Sequence, residues 1–168
     1  GNEISHNSAK GIDVGALSGA GSGGLGINGY YVMVEKNKIT HNTVYGSQDA
    51  YGAGVSFGDN HGNLIIDGNY IAHNIIEHGI GWGAGLCIYR DSATVSNNII
   101  VNNDAANGPD SYGGGIWIRD NSTVTVINNT VLFNVAHQGG GIHSRNSNTI
   151  IMNAILWGNS STTGHHQL

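Results

Sequence analysis

The chain has 168 residues, with 28 glycines, one proline, one cysteine, six Lys plus Arg and a formal charge of −5. That length suffices for one domain with a buried core. The lone cysteine excludes an internal disulfide and leaves the redox compartment open, the scarcity of cations argues against a nucleic-acid partner, and no apolar run approaches the ~18 residues of a membrane span.

Charged residues, at 10%, are too few for a disordered chain, and the glycines lack the three-residue period of collagen. In chain order the first element is GNEISHN (1–7), followed by the glycine element GGLGI (23–27). KNKITHN (36–42) repeats the first and GAGVSF (52–57) the second. NLIID then leads into GNYIAHN (68–74) and GAGLCI (83–88). NNIIVNN (97–103), GGGIWI (113–118), STVTVI, NNTVLFN (128–134), GGGIHS (139–144) and a looser AILWGN (154–159) complete the series. The first motif has the form N-x-Φ-x-x-N, with Φ aliphatic. Anchored on its second asparagine (Asn7, Asn42, Asn74, Asn103, Asn134, Asn159), it recurs at steps of 35, 32, 29, 31 and 25 residues.

The anchors define columns. Three residues before them stand Ile4, Ile39, Ile71, Ile100, Val131 and Leu156, and eight before stand Val34, Ile66, Val95, Val126 and Ile151. Five before stand Asn2, Asn37, Asn69, Asn98 and Asn129, then Ala154, where the adjacent Asn153 leaves room for a slip of one residue. Within elements the period is two: Ile116 and Ile118 point one way, Trp117 and Arg119 the other. Short β-branched segments read as strands, and no helical stretch of useful length intervenes. Three short strands per unit, repeated about five times, predict a coil stacked on itself, each turn completing its neighbours' core at about 4.8 Å spacing. Stacked asparagine amides can hydrogen-bond up such a ladder and tolerate left-handed corners. The glycines permit tight backbone at the start of each strand. A phosphate loop would need a following helix and a lysine at fixed offset, whereas a strand comes next here, so nucleotide binding is rejected.

N-x-Φ-x-x-N followed by GGGI-x-Φ resembles the repeat of the pectate-lyase-like superfamily, over nearly the whole chain. The resemblance implies an all-β, right-handed parallel β-helix. It also implies a polysaccharide lyase, a hydrolase, an epimerase, a phage tailspike or a bacterial surface or secreted module; the glycine- and asparagine-rich style is most similar to the last. Both ends cut through a repeat without a cap, so residues 1–168 are expected to be one segment of a longer chain.

Length variation is concentrated at one corner. From each anchor to the last glycine of the next glycine element the gaps are 17, 12, 11, 12 and 7 residues, against 18, 20, 18, 19 and 18 from that glycine to the next anchor. Insertions on one face of a solenoid mark a binding face. Three columns border it. Tyr51, Trp82 and Tyr112 directly precede the glycine element, with Gln138 continuing the line and Trp117 pointing outward beside them. Such rings stack on sugars, or else seal the loops onto the barrel. Arg90, Arg119 and Arg145 come after the strand, each next to Asp91, Asp120 or Asn146, with Asp59 at the same corner one coil earlier. They can grip a uronate or sulfate, or form an Arg–Asp ladder on a solvated corner. His6, His41 and His73 precede their anchors, continued by Asn102 and Phe133. A straight stack does not converge as zinc requires, and a column accepting Phe133 reads as packing. His143 stands apart, outward near Arg145, as the candidate for acid–base work.

The leading expectation is a carbohydrate-associated or adhesive module of a secreted or cell-surface protein. It would bind a polysaccharide or surface glycan through Tyr51, Trp82, Tyr112, Trp117, Arg90, Arg119 and Arg145, with no cofactor. The alternative is a polysaccharide lyase using Arg119, His143 and Arg145 in β-elimination, with calcium or Arg neutralising the uronate. The resemblance would put acidic calcium ligands at the outward positions Gly26, Ser56, Cys87, Trp117 and His143, none of which is acidic. Clustered carboxylates for hydrolysis are missing there too. A third reading is a purely structural stalk.

Overall fold

The computed structural model describes residues 1–10, 19–20, 23–27, 29–58, 62–108 and 110–164. Asp59 and all but the first residue of the C-terminal GHHQL lie outside them. Every strand pairing is parallel, and three sheets run the length of the stack. Sheet I holds the asparagine motifs: Glu3–Ser5, Lys38–Thr40, Tyr70–Ala72, Ile99–Val101, Thr130–Leu132 and Ile155–Trp157. Sheet II holds the strands that begin at the glycine elements: Leu25–Ile27, Val55–Gly58, Leu86–Tyr89, Ile116–Arg119 and Ile142–Arg145. Sheet III holds Tyr31–Glu35, Asn63–Asp67, Ser92–Ser96, Thr123–Ile127 and Asn148–Met152. The chain passes from I to II to III and returns one rung higher. No helix among the described residues is long and apolar enough to cross a membrane.

The period of two explains the core. Ile4, Ile39, Ile71, Ile100, Val131 and Leu156 pair in one inward column of sheet I. Sheet III contributes Val34, Ile66, Val95, Val126 and Ile151. Sheet II contributes Val55, Leu86, Ile116 and Ile142 beside Phe57, Ile88 and Ile118, and these pack with the other two sheets into one cluster. Full burial of one such aliphatic side chain is worth about 1.5–3 kcal/mol, so each rung's stability depends on rungs above and below covering it.

Two asparagine ladders fasten the corners at either end of sheet I. In the inner one Asn7, Asn42, Asn74, Asn103 and Asn134 each donate Nδ2 to Oδ1 of the next rung's asparagine, at 2.9–3.0 Å, ending on Asn159. The outer ladder joins Asn2, Asn37, Asn69, Asn98 and Asn129. Thr130 pairs with Ile155, so Ala154 holds the sixth place of that column without a slip, and Asn153 is the corner residue before it. The ladder asparagines are not themselves the left-handed residues. Positive φ falls one place earlier, on His6, His41, His73, Asn102 and Phe133 (φ 54–57°) and on Lys36, Asn97 and Asn128 (φ 53–56°).

The variable corner adds a fourth face that the repeat does not announce. Thr43–Tyr51 and Ile75–Trp82 pair along it with register shifts around His78, and Ser8–Lys10, Gly19–Ala20 and the short pair Val135–Ala136 with Ser160–Ser161 extend it. Beneath lies a second small core of Val44, Ala50, Ala53, Ile76, Ala84, Ala105 and Ala136. Its alanines let the insertions lie close against the main stack.

Candidate functional site

Sheet II and the corner leading into it carry the candidate groove. At that corner Gly83 has φ 66°, and a Cβ there would lie 2.3 Å from the Leu86 carbonyl oxygen, so only glycine makes this turn. The residue just before the turn is thereby thrown over the outward face of sheet II. Tyr51 pairs with Trp82, Trp82 bridges to Tyr112 and Tyr112 to Gln138, so the expected aromatic column exists as one line up the stack.

The rings do not stand open to solvent. Trp82 and Tyr112 stack on each other at 4.9 Å and 9°. The rung spacing that suits a row of sugars is also the stacking distance of two rings, so Trp82 and Tyr112 cover each other's facing sides. Trp117 alternates outward from the core as expected, but Trp82 covers it at 4.8 Å and Tyr89 stacks on it at 6.3 Å. It is 1% exposed. Direct ligand contact by Trp117, expected from the sequence, is therefore corrected to support from beneath; its Nε1 has no hydrogen-bond partner among the described residues.

The arginine column is also redrawn. Leu86–Tyr89 pairs residue for residue with Ile116–Arg119, and that strand with Ile142–Arg145. Arg119 and Arg145 share a column with Tyr89. Arg90 falls one place later, at the left-handed corner with Asp120 and Asn146 (φ 55, 54 and 51°). The mismatch arises because Arg90 stands five residues after Gly85, whereas Arg119 and Arg145 stand four after Gly115 and Gly141. The guanidinium of Arg90 lies 4.8 Å over the Tyr89 ring. That of Arg119 lies 5.4 Å from the Trp82 centroid and 5.8 Å from that of Trp117, with Nε 3.1 Å from Asp120 Oδ1. Arg145 is exposed and makes no ion pair among the described residues.

The outward column Gly26, Ser56, Cys87, Trp117 and His143 is in register and carries no carboxylate. Burial pushes the Cys87 thiol up, against a hydrogen bond from Ser56. The Tyr51 phenol is pushed up to about 12, first by burial and then by the Asp49 carboxylate, Cys87 and Tyr89, with Arg119 opposing. Both groups therefore stay protonated at neutral pH. His143 sits 5.1 Å from Tyr112, at the same level of the stack as Arg145. Among the described residues no group of three or more His, Cys, Asp and Glu side chains is placed to hold a metal.

Two residues escape a reading of the sequence. Asp49 Oδ1 accepts from Trp82 Nε1 at 2.9 Å and so fixes the indole over Trp117. Tyr89 completes the cluster from below. Counting from the glycine turn instead of from the Arg–Asp dipeptide would have put Tyr89 in the Arg119 column, whereas Asp49 carries no repeat signal.

A family model described as the right-handed beta helix region matches residues 1–163. The chain belongs to this family of right-handed parallel β-helix repeat proteins. No curated protein and no solved structure matches it.

Proposed function

We propose that this chain is a carbohydrate-associated β-helix module that holds a polysaccharide along the outward face of sheet II. The observation that carries the reading is the make-up of that face: Tyr51, Trp82, Tyr112, Tyr89, His143, Arg119 and Arg145 are aromatic or cationic, and the neutral Gln138 continues the aromatic line. The nearby carboxylates of Asp49 and Asp120 are already engaged by Trp82 and Arg119. Ring edges and hydroxyls suit sugar hydroxyls, while Arg145, with Arg90 and Arg119 behind it, suits an acidic substituent. Because Trp117 is covered, the binding edge is assigned to Tyr51, Trp82 and Tyr112. The setting that fits such a module is extracellular or at a cell surface.

Affinity electrophoresis of the chain through gels containing neutral and acidic polysaccharides tests this. At least one polysaccharide should retard the wild type, and Tyr112→Ala and Arg145→Ala should each cut the affinity by roughly tenfold, the ~1–2 kcal/mol of a lost ring or charge contact, with the circular dichroism spectrum kept. Retention unaltered in both variants, or none in the wild type, contradicts the groove and leaves the structural stalk. Polysaccharide lyase action is the second reading. It is favoured by the register that sets Trp117 beside His143 and Arg119 beside Arg145, which gathers Arg119, His143 and Arg145 on adjacent strands. There Arg145 would neutralise the uronate carboxylate and the imidazole of His143 would take the C5 proton, its electron pair forming the C4–C5 double bond as the C4–O glycosidic bond breaks and the departing oxygen is protonated from water. No rise in unsaturated uronate on pectate, alginate or glycosaminoglycan retires it.

A further inference from the structure

His6, His41 and His73 stand in one column on three successive rungs, each in left-handed backbone with φ of 57, 57 and 56°. Their rings stack, His6 on His41 at 5.1 Å and 5°, His41 on His73 at 4.9 Å and 19°. His6 and His41 are exposed and His73 is half-buried. The rings cannot easily spread. Their backbone N–H groups donate to Thr40, Ala72 and Val101 carbonyls on the next rung, each at 3.2 Å. The asparagine after each is tied into the inner ladder at 3.0 Å or less.

Neutral imidazoles stack without penalty. Protonated ones would place positive charges in file at about 5 Å intervals, with repulsion comparable to thermal energy even in water. The charged groups of sheet I that face the stack are Glu3 and Lys38, and they are paired with each other at 2.9 Å, leaving no spare carboxylate on the described strands of that sheet. Farther up the column Asn102 and Phe133 carry no charge.

We propose that His6, His41 and His73 form an acid-sensitive clasp, which fastens the first three rungs while neutral and loosens them, and not the later rungs, when protonated. The partial desolvation that stacking imposes on the exposed His41 ring, followed by the charges of His73, His6 and Lys38, holds it below the ordinary imidazole value of 6.5, with Glu3 opposing. The sign is set by linkage. Well above pH 6.5 neither the native nor the unfolded chain is protonated at this site, and the stack's contribution is complete. As pH falls below that value the unfolded chain binds a proton that stacked His41 resists, so stability is lost until the lower native value is passed.

Residue-resolved hydrogen exchange on the whole chain at pH 7.5 and 5.0, corrected for intrinsic rates, tests the clasp. Protection of the His41, Asn42 and Thr43 amides should fall at least about threefold at the lower pH, while Asn102, Asn103, Phe133 and Asn134 change less than about twofold. His41→Phe keeps a ring in the column, as Phe133 does, but cannot take a proton; it should retain protection at pH 7.5 and abolish the acid loss. His41→Asn, which matches Asn102 in left-handed backbone, should also abolish it. Equal protection at the two pH values in the wild type, or an acid loss that persists in both variants, overturns the proposal.

Discussion

Asn103 fills both acceptor and both donor positions of its amide. Its Oδ1 accepts from the backbone N and the Nδ2 of Asn74 at 3.1 and 2.9 Å, and its Nδ2 donates to Asn134 Oδ1 at 2.9 Å and to the Ile71 carbonyl at 3.1 Å. The residue is wholly buried. This is why the column accepts nothing else: a buried amide with every position satisfied stabilises the corner, and a truncated one strands its partners. Gly85 belongs to the same contact, since a Cβ there would lie 2.5 Å from the Gly115 carbonyl oxygen and 3.0 Å from Asn103 Nδ2. Asn103→Ala should therefore cost about 2–4 kcal/mol, read from the shift in urea midpoint at constant m-value. Asn2→Ala, at the exposed start of the outer ladder, should cost under about 0.5 kcal/mol. Equal effects of the two would refute the ladder's role.

At the scale of elements, the three sheets and the variable corner obey different packing rules. Sheets I, II and III bury large aliphatics every second residue, and that alternation repeats in the sequence; the Ile4 to Leu156 column is legible for this reason. The corner is closed by small residues instead, Ala50, Ala53, Ala84, Ala105 and Ala136, and its strands shift register around His78. The inward residues do keep step with the anchor, two places after it at Val44, Ile76, Ala105 and Ala136, but they run from Ile down to Ala and the strands between them shift register, so the fourth face is less legible than the other three. Arg90 is misplaced by sequence alone because the Arg–Asp dipeptide looks alike at Arg90 and Arg119, while its distance from the preceding glycine turn differs by one residue. The packing of the aromatic column is not legible because a one-dimensional pattern shows that Trp82 and Tyr112 are neighbours, not that their faces meet. Ala84→Leu tests the corner's packing: overfilling it should destabilise by about 1–3 kcal/mol. The same change should displace Trp82 from Trp117, giving altered near-ultraviolet circular dichroism. An unchanged urea midpoint would show that the corner has room to spare.

For the molecule as a whole, the parallel stack turns sequence period into spatial neighbourhood. Residues about thirty apart in the chain touch, and those touches assemble the aliphatic core, the amide ladders, the imidazole stack and the aromatic and cationic face of sheet II. A right-handed parallel β-helix by itself specifies a carbohydrate-related or structural module, and the side chains on one face must specify the rest. All assignments on that face inherit the register of the rungs, and the register can be measured chemically. Thr94 and Thr125 are directly paired on the outward side of sheet III, within the 4.4–6.8 Å Cα separation, roughly, that a disulfide spans. The native Cys87 is buried, and burial pushes its thiol up, so it should not compete. Under mild oxidation the Thr94→Cys/Thr125→Cys double variant should form an intramolecular bridge essentially to completion, seen as protection from alkylation in the folded state. The offset pair Thr94→Cys/Thr123→Cys should remain alkylatable. Bridging of the offset pair with none in the direct pair would contradict the stacking register, and with it the groove.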